Sequence, residues 1–158
     1  MKIKIDQTDC GIIELLQKDG RTPNTIIAKQ LNISEATVRS RLNRLVKEDY
    51  IQIVAVSNPL KLGFRIVGTV KVKADLKKLD HVSKELSKIH QLWYIAKVSG
   101  EYDFEAEFNA KSMDDLNSFL SEKVNMIEGV NSVATTLVLN FVKRRYDWKT
   151  AMNDTKDL

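Results

Sequence analysis

Cysteine, histidine and proline are scarce in this sequence, which has one, two and two of them in 158 residues. Cys10 cannot form an internal disulfide and has no metal ligand near it at a useful spacing, so we expect a buried helix residue. His81 and His90 lie apart from any cluster of catalytic partners, and a glycine-rich phosphate loop is missing. The sequence therefore predicts no catalytic residue, no metal site and no cofactor, and we do not expect an enzyme.

Long hydrophobic runs are also absent. The longest, such as residues 53–56, are far too short to cross a bilayer. The first residues alternate lysine and isoleucine and lack the apolar core of a signal peptide. We therefore expect a cytoplasmic protein without a membrane partner, and its 43% apolar and 29% charged residues are typical of a globular chain.

The sequence has only a small excess of positive charge, and this excess is unevenly distributed along the chain. The net charge is +4, with the basic excess in residues 1–60 and 143–158 and a balance between 61 and 142. A polyanion would bind the basic parts. Because the excess is so modest, the residue pattern has to identify the partner.

Residues 22–49 predict two helices joined by a tight turn. Pro23 suits the first position of the first helix, and the small Ala28 lets the second helix cross it closely. Asn32 tolerates the left-handed conformation that such a turn needs, and Ser34 is a favoured N-cap. The second helix is expected to bury Val38, Leu42, Leu45 and Val46. This spacing is that of a helix-turn-helix, whose second helix enters the DNA major groove.

The second helix carries the predicted DNA contacts. The predicted DNA-binding residues are Ser34, Thr37, Arg39, Ser40, Arg41 and Arg44. Recognition helices combine base readout with backbone positioning, so we expect Thr37, Ser40 and Arg41 to meet base edges or the adjacent backbone. Arg39 and Arg44 are expected chiefly to contact phosphates. A solvated arginine-rich face is the ordinary alternative, and the helix-turn-helix spacing favours DNA.

The segments beside this motif predict a winged helix-turn-helix domain. We expect an opening strand or arm at residues 2–5, a helix at about 7–18 and, after the motif, a strand at 50–56 rich in β-branched residues. Three helices followed by a strand give the winged form. A linker is expected at about 57–63, where an Asn-Pro pair and a glycine interrupt regular structure.

The remaining chain predicts an α+β sandwich. Its apolar periods follow the order strand, helix, strand, strand, helix, strand, which is a ferredoxin-like βαββαβ arrangement. The predicted domains are therefore 1–57, a winged helix-turn-helix DNA-binding domain, and 64–142, the sandwich. Residues 143–158 form a basic C-terminal tail.

One face of the predicted sheet is expected to stay uncovered, because both helices lie on the other face. The residues expected on the uncovered face are Val67, Ile95, Val138 and Val142. An apolar sheet face in water needs a cover, and a second copy of the chain is the simplest. A two-fold dimer would also hold two recognition helices at a fixed separation.

Residues in both halves of the chain carry a family resemblance. Those in the first half are Asp6, Asp9, Ile12, Ile13, Arg21, Ile33, Ser34, Arg41, Leu42 and Leu45. In the second half, residues 98–103 contain a Gly-x-x-Asp turn. With these residues the sequence resembles the leucine-responsive regulatory protein / AsnC family of transcription regulators, also called feast/famine regulators. Asp49 stands where that family usually has a glycine at the end of the recognition helix.

The resemblance implies three partners. They are double-stranded DNA, further copies of the chain as a homodimer or an octamer of four dimers, and an amino acid or similar small effector bound between dimers. The sandwich is then an effector-binding and oligomerisation domain of the RAM/ACT-like type, with the effector at Gly100, Tyr102, Asp103, Thr135 and Thr136. Turn N–H groups would bind a carboxylate and Asp103 an ammonium group. Ordinary turn and strand roles stay open for all five.

Two other functions stay open beside an effector-responsive, sequence-specific transcription regulator. One is an architectural protein that wraps DNA with little sequence preference. The other is an effector-binding regulatory subunit of an enzyme, in which the helix pair is a protein interface. Operator specificity, the response to an amino acid and DNA binding at low salt distinguish these functions.

Overall fold

The computed structural model describes residues 5–147 and residue 150. The described residues up to Val56, with those from Lys143 onward, form one compact unit, and Ser57–Val142 form the other. Within the described part of the chain, no helix is long and apolar enough to cross a membrane. The predicted arm lies outside the described residues except for Ile5, and the predicted tail does so except for 143–147 and 150.

The N-terminal unit contains three helices. They are α1 (Gln7–Lys18), α2 (Asn24–Leu31) and α3 (Glu35–Lys47). The buried core between them consists of Ile12, Ile13, Ile27, Ala28, Val38 and Leu45. The predicted helices are thus confirmed, but Val46, expected inside, is 46% exposed. Leu45 already takes the inward position at that turn, and a neighbour lies about 100° further round the helix.

The turn between α2 and α3 is formed as the sequence predicts. Asn32 adopts φ 52° and ψ 47°, and the Ser34 hydroxyl accepts a hydrogen bond from the Thr37 N–H at 3.1 Å. Pro23, in contrast, is the N-cap of α2 and not its first helical residue. At the end of α3, Asp49 takes φ 59°, so this aspartate adopts the left-handed conformation that glycine favours.

The predicted strand after α3 does not form among the described residues. Residues 51–56 belong to no helix or strand, and Ile53, Val54 and Val56 are all more than half exposed. The tendency of β-branched residues to form strands comes mainly from packing and pairing with a neighbouring strand, and less from a preference of the backbone itself. Among its described residues this unit contains no strand with which the β-branched segment could pair.

The C-terminal unit has the predicted βαββαβ order. Its elements are β1 (Ile66–Ala74), α4 (Leu79–Ser87), β2 (Leu92–Lys97), β3 (Phe104–Ala110), α5 (Met113–Ser118) and β4 (Val130–Leu137). A 3-10 turn precedes α4, and a π-helical turn at Phe119–Val124 extends α5. The strands lie in the order β2-β3-β1-β4 with antiparallel neighbours. The predicted linker forms a 3-10 turn, Pro59–Leu62.

The helices pack on one face of this sheet. Alternate residues of β3 are buried there, and the Phe108 ring lies 5.6 Å from that of Phe119. Leu76 and Met113, although apolar, are 73% and 51% exposed. Each stands at the start of its helical segment, where the first turn has not yet reached the sheet.

The uncovered face differs from the prediction. Ile95 pairs with Ala106 and packs under the helices, while Val142 lies beyond the end of β4 and is 95% exposed. A bulge between Leu92 and Tyr94 shifts the alternation of β2 by one residue, so both Leu92 and Ile95 face the helices. Val67 lies on the uncovered face as predicted, but the rest of that face is largely polar, with Thr69, Lys71, Glu105, Glu107 and Thr136 on it.

Candidate DNA-binding and effector sites

One face of α3 is polar and exposed along its length. Its residues are Ala36, Arg39, Ser40, Asn43 and Lys47, whose spacing places them on one side of a helix. Arg39 is 66% exposed and pairs with the nearby Glu35, at 2.9 Å. Amide and hydroxyl side chains read base edges, and exposed cations bind phosphates. This surface, the α3 outer face, has the chemistry of a recognition helix.

The α3 outer face contains two of the predicted DNA-binding residues and two polar residues outside the predicted set, Asn43 and Lys47. Arg39 and Ser40 lie on it, and Asn43, three residues after Ser40, was not in the predicted set. The helical spacing alone would have found Asn43. Ser34 and Thr37 lie at the start of α3, where their hydroxyl oxygens are 2.8 Å apart.

Arg41 and Arg44 point elsewhere, which differs from the expectation of base and phosphate contacts. Arg41 Nη1 donates to both oxygens of Asp6, at 2.8 and 2.7 Å, and to Asp9 Oδ1 at 3.0 Å. Arg44 Nη2 donates to Asp9 Oδ2 at 2.5 Å. The physical reason is that both arginines lie on the side of α3 that faces the start of α1.

The two aspartates are held by hydrogen bonds of their own. Each accepts a hydrogen bond from the other's backbone N–H, at 2.9 and 3.0 Å, and together they form the capping box of α1. The hydrogen bond from Arg41 lowers the pKa of Asp6. Burial acts to raise the pKa of Asp9, but the hydrogen bonds from the Asp6 N–H, Arg44 and Arg41 outweigh it and lower that pKa. Both carboxylates are therefore charged at neutral pH.

The Gly-x-x-Asp turn connects β2 to β3. Gly100 has φ 134°, a conformation that side chains disfavour, and the Val98 N–H donates to the Asp103 carbonyl at 2.9 Å. Asp103 Oδ2 accepts from the Ala74 N–H at 2.9 Å, and Lys73 Nζ lies 3.4 Å from the same carboxylate. The Ala74 hydrogen bond is the main cause of a lowered pKa at Asp103. Asp103 thus fastens the turn to β1.

Thr135 and Thr136 lie away from this turn within one chain. In β4 they oppose Val70 and Thr69, whereas Asp103 bonds to β1 at Val72 and Ala74. Along the strand direction the offset is two to five residue steps, roughly 7–17 Å at about 3.3 Å per residue, and β3 and β4 also lie on opposite sides of β1. The expectation that all five effector residues lie together is therefore not met within a single chain. Among the described residues, no group of three or more His, Cys, Asp or Glu could hold a metal ion.

A helix-turn-helix with an exposed polar recognition face, joined in one chain to a βαββαβ sandwich, defines a DNA-binding regulator with a separate regulatory domain. Two family profiles match the same two parts. The winged helix-turn-helix DNA-binding family matches residues 5–52, and the Lrp/AsnC ligand binding domain family matches residues 68–148. The protein belongs to the Lrp/AsnC family of transcriptional regulators.

Individual proteins agree with this assignment. An uncharacterized HTH-type transcriptional regulator of Pyrococcus horikoshii is 36% identical over 146 residues, covering 92% of each chain. The HTH-type transcriptional regulator LrpA of the same organism is 35% identical over 140 residues, covering 88% of this chain and 99% of its own. A Neisseria meningitidis transcriptional regulator, solved as an L-Met complex, shares the fold with a TM-score of 0.81 at 19% identity over 96% of this chain and 99% of its own.

Proposed function

We propose that this regulator binds operator DNA through the α3 outer face as a homodimer, assembled further into an octamer, and that an amino acid controls its binding or assembly. The observation that carries the proposal is the exposed polar face of α3 in a chain that also has a ligand-binding domain. One recognition helix covers one half-site, and a two-fold dimer provides the second. The protein would act in the cytoplasm, where its DNA is.

The polar residues of the α3 outer face would have different roles at the operator. They are Arg39, Ser40, Asn43 and Lys47. Asn43 has the side-chain amide that recognises adenine through two hydrogen bonds, and the Ser40 hydroxyl group can either donate a hydrogen bond to a base or accept one from it. Arg39 and Lys47 would neutralise phosphates on either side, while Ser34 and Thr37 would contact the backbone at the start of α3. These roles are assigned by exposure and chemistry.

Asn43→Ala and Arg39→Ala are expected to weaken DNA binding in different ways. Asn43→Ala would cost about 1–3 kcal/mol on the preferred sequence and relax preference at one base pair. Arg39→Ala would weaken all sequences alike and lower the log–log salt slope by about one unit. Selection from a random duplex library, followed by titration at several salt concentrations, measures both.

Asn117→Ala is the matched control, since Asn117 is exposed on α5 in the other unit. Unchanged selection and affinity for Asn43→Ala would remove Asn43 from base readout. A wild-type protein that binds every sequence equally would favour an architectural role over a regulator of defined operators.

For the effector we propose a site that two chains share. The N–H groups near Gly100 and the carboxylate of Asp103 would come from one chain, and Thr135 and Thr136 from another. This accounts for their separation within one chain and agrees with an effector bound between dimers. An amino acid would then shift assembly, because a ligand changes an equilibrium only through its different affinities for the two states.

Asp103→Asn is expected to abolish the response to an amino acid and to preserve the fold. The asparagine keeps an oxygen that can accept the Ala74 N–H bond, but it loses the charge that would attract an ammonium group. Thermal shift and light scattering with each standard amino acid, on wild type and variant, test this. An effector that stabilises both proteins equally would place the site elsewhere.

A further inference from the structure

Arg41 and Arg44 are conspicuous because they lie in the recognition helix and yet are held inside the protein. Arg41 is 29% and Arg44 35% exposed at the side chain, against 66% for Arg39. Their partner Asp9 is 1% exposed. Asp6 and Asp9 lie 32 to 35 residues away in the sequence, so these contacts depend on the packing of α1 against α3. Arg44 also lies 3.7 Å from Glu48, four residues further along the chain.

We propose that Asp6 and Asp9 withhold Arg41 and Arg44 from the DNA backbone and thereby limit binding to sequences other than the operator. These four residues are called the acid–arginine cluster. The inference rests on the proposed DNA binding through α3, and it assigns Asp6 and Asp9 as positioning residues that act through the two arginines.

The charges of the acid–arginine cluster cancel. Two carboxylates face two guanidiniums, so the cluster adds no net attraction for a polyanion. Non-specific DNA binding comes almost entirely from cations that neutralise phosphates, and each neutralised phosphate adds about 0.9 to the log–log salt slope. Two uncompensated arginines beside Ser40 and Asn43 would therefore raise affinity for every sequence. When Asp6 and Asp9 compensate these charges, base contacts contribute a larger fraction of the binding free energy.

The geometry also explains why this compensation is firm. The carboxylates are already fixed by the capping box of α1, and Asp9 lies in the core between helices. A guanidinium that left Asp9 for a phosphate would leave this buried carboxylate with one charged partner in place of two, which is unfavourable. Arg39 has no such constraint, because its partner Glu35 is itself exposed.

Asp6→Asn is the most informative variant. Asp6 is 56% exposed, and asparagine is an N-cap as good as aspartate, so α1 keeps its cap while Arg41 loses one charged partner. On a random-sequence duplex we expect the salt slope to steepen by about one unit and affinity to rise roughly five- to tenfold at about 0.1 M salt. A cluster that only supported the fold would give weaker binding and a lower melting temperature.

Asp19→Asn is the matched control, because it adds the same charge at an exposed position at the end of α1 without touching either arginine. The log–log salt slope of Asp19→Asn is expected to differ from that of the wild type by less than half of the change expected for Asp6→Asn. The double variant Asp6→Asn/Arg41→Gln removes the released charge, and its slope is expected to return to the wild-type value.

An Asp6→Asn slope no steeper than that of Asp19→Asn would overturn the inference, and so would a double variant that stays as steep as the single one. These results leave operator binding by α3 intact. If the wild type and all variants fail to bind any duplex at low salt, the result contradicts the proposed DNA binding and therefore also this inference.

Discussion

Gly68→Ala is expected to destabilise the C-terminal unit by about 3 kcal/mol, the largest effect of a single added methyl group that we anticipate. A Cβ atom at Gly68 would lie 2.4 Å from the Thr136 carbonyl oxygen and 2.8 Å from Cζ of Phe108. Neither neighbour can move easily. Thr136 is paired in β4, and the fully buried Phe108 ring packs against Phe119. The sheet would have to separate at β1 or the core to repack.

Thermal unfolding tests the prediction, with an expected fall in Tm of more than about 10 °C, since 1 kcal/mol shifts a unit of this size by roughly 4–8 °C. Gly20→Ala is the control. A Cβ there would meet only the Leu16 carbonyl oxygen, at an ordinary 3.8 Å. Equal melting temperatures for the two variants would show that β4 yields to the methyl group.

Local sequence signals accounted for the order of the elements and for the helix-turn-helix. The left-handed Asn32, the capping Ser34 and the buried faces of the helices depend on residues within a few positions of one another. Such signals act through backbone conformation and helical spacing, which a sequence displays directly. For the same reason the α3 outer face could be read from its spacing, including Asn43.

The sequence could not predict contacts that depend on register. A bulge of one residue turned Ile95 toward the helices, so the uncovered sheet face has one apolar residue fewer than expected. Asp103 was expected to be available to a ligand but fastens its turn to β1 through Ala74. In both cases the partner lies on another strand, and its identity depends on a pairing that strand patterns leave undetermined.

The contacts of the α3 arginines also depend on residues that are distant in the sequence. All three arginines, Arg39, Arg41 and Arg44, were expected from the sequence to contact DNA. Helical spacing divides them between two faces, and folding brings Asp6 and Asp9 against one of those faces. The local signal for the α1 capping box was present in the sequence, but nothing local connects it to arginines more than thirty residues away.

Asp9→Asn is expected to reduce the stability of the N-terminal unit by about 3 kcal/mol at neutral pH. Removing one member of a buried ion pair leaves its partners uncompensated, and such losses are about 3–5 kcal/mol when the pair is fully buried. Here the aspartate is buried, but Arg41 and Arg44 keep partial access to water, which places the loss at the lower end. The variant keeps the shape of the side chain, and it removes the charge together with one of the two oxygens that accept hydrogen bonds from Arg41, Arg44 and the Asp6 N–H.

The loss should depend on pH in a definite direction. The pKa of Asp9 is lower in the folded chain than its ordinary value of 3.8, so the carboxylate contributes its full stability above that value. The contribution is lost as the pH falls through the folded pKa, because the wild-type side chain then becomes neutral as well. Chemical denaturation of wild type and Asp9→Asn from neutral pH down to about pH 2 should show two stabilities that converge at the acid end. Asp19→Asn should follow the wild type within about 0.5 kcal/mol throughout. A gap between wild type and Asp9→Asn that stays constant over this range would mean that the carboxylate's hydrogen-bond geometry, and not its charge, holds α1 against the recognition helix.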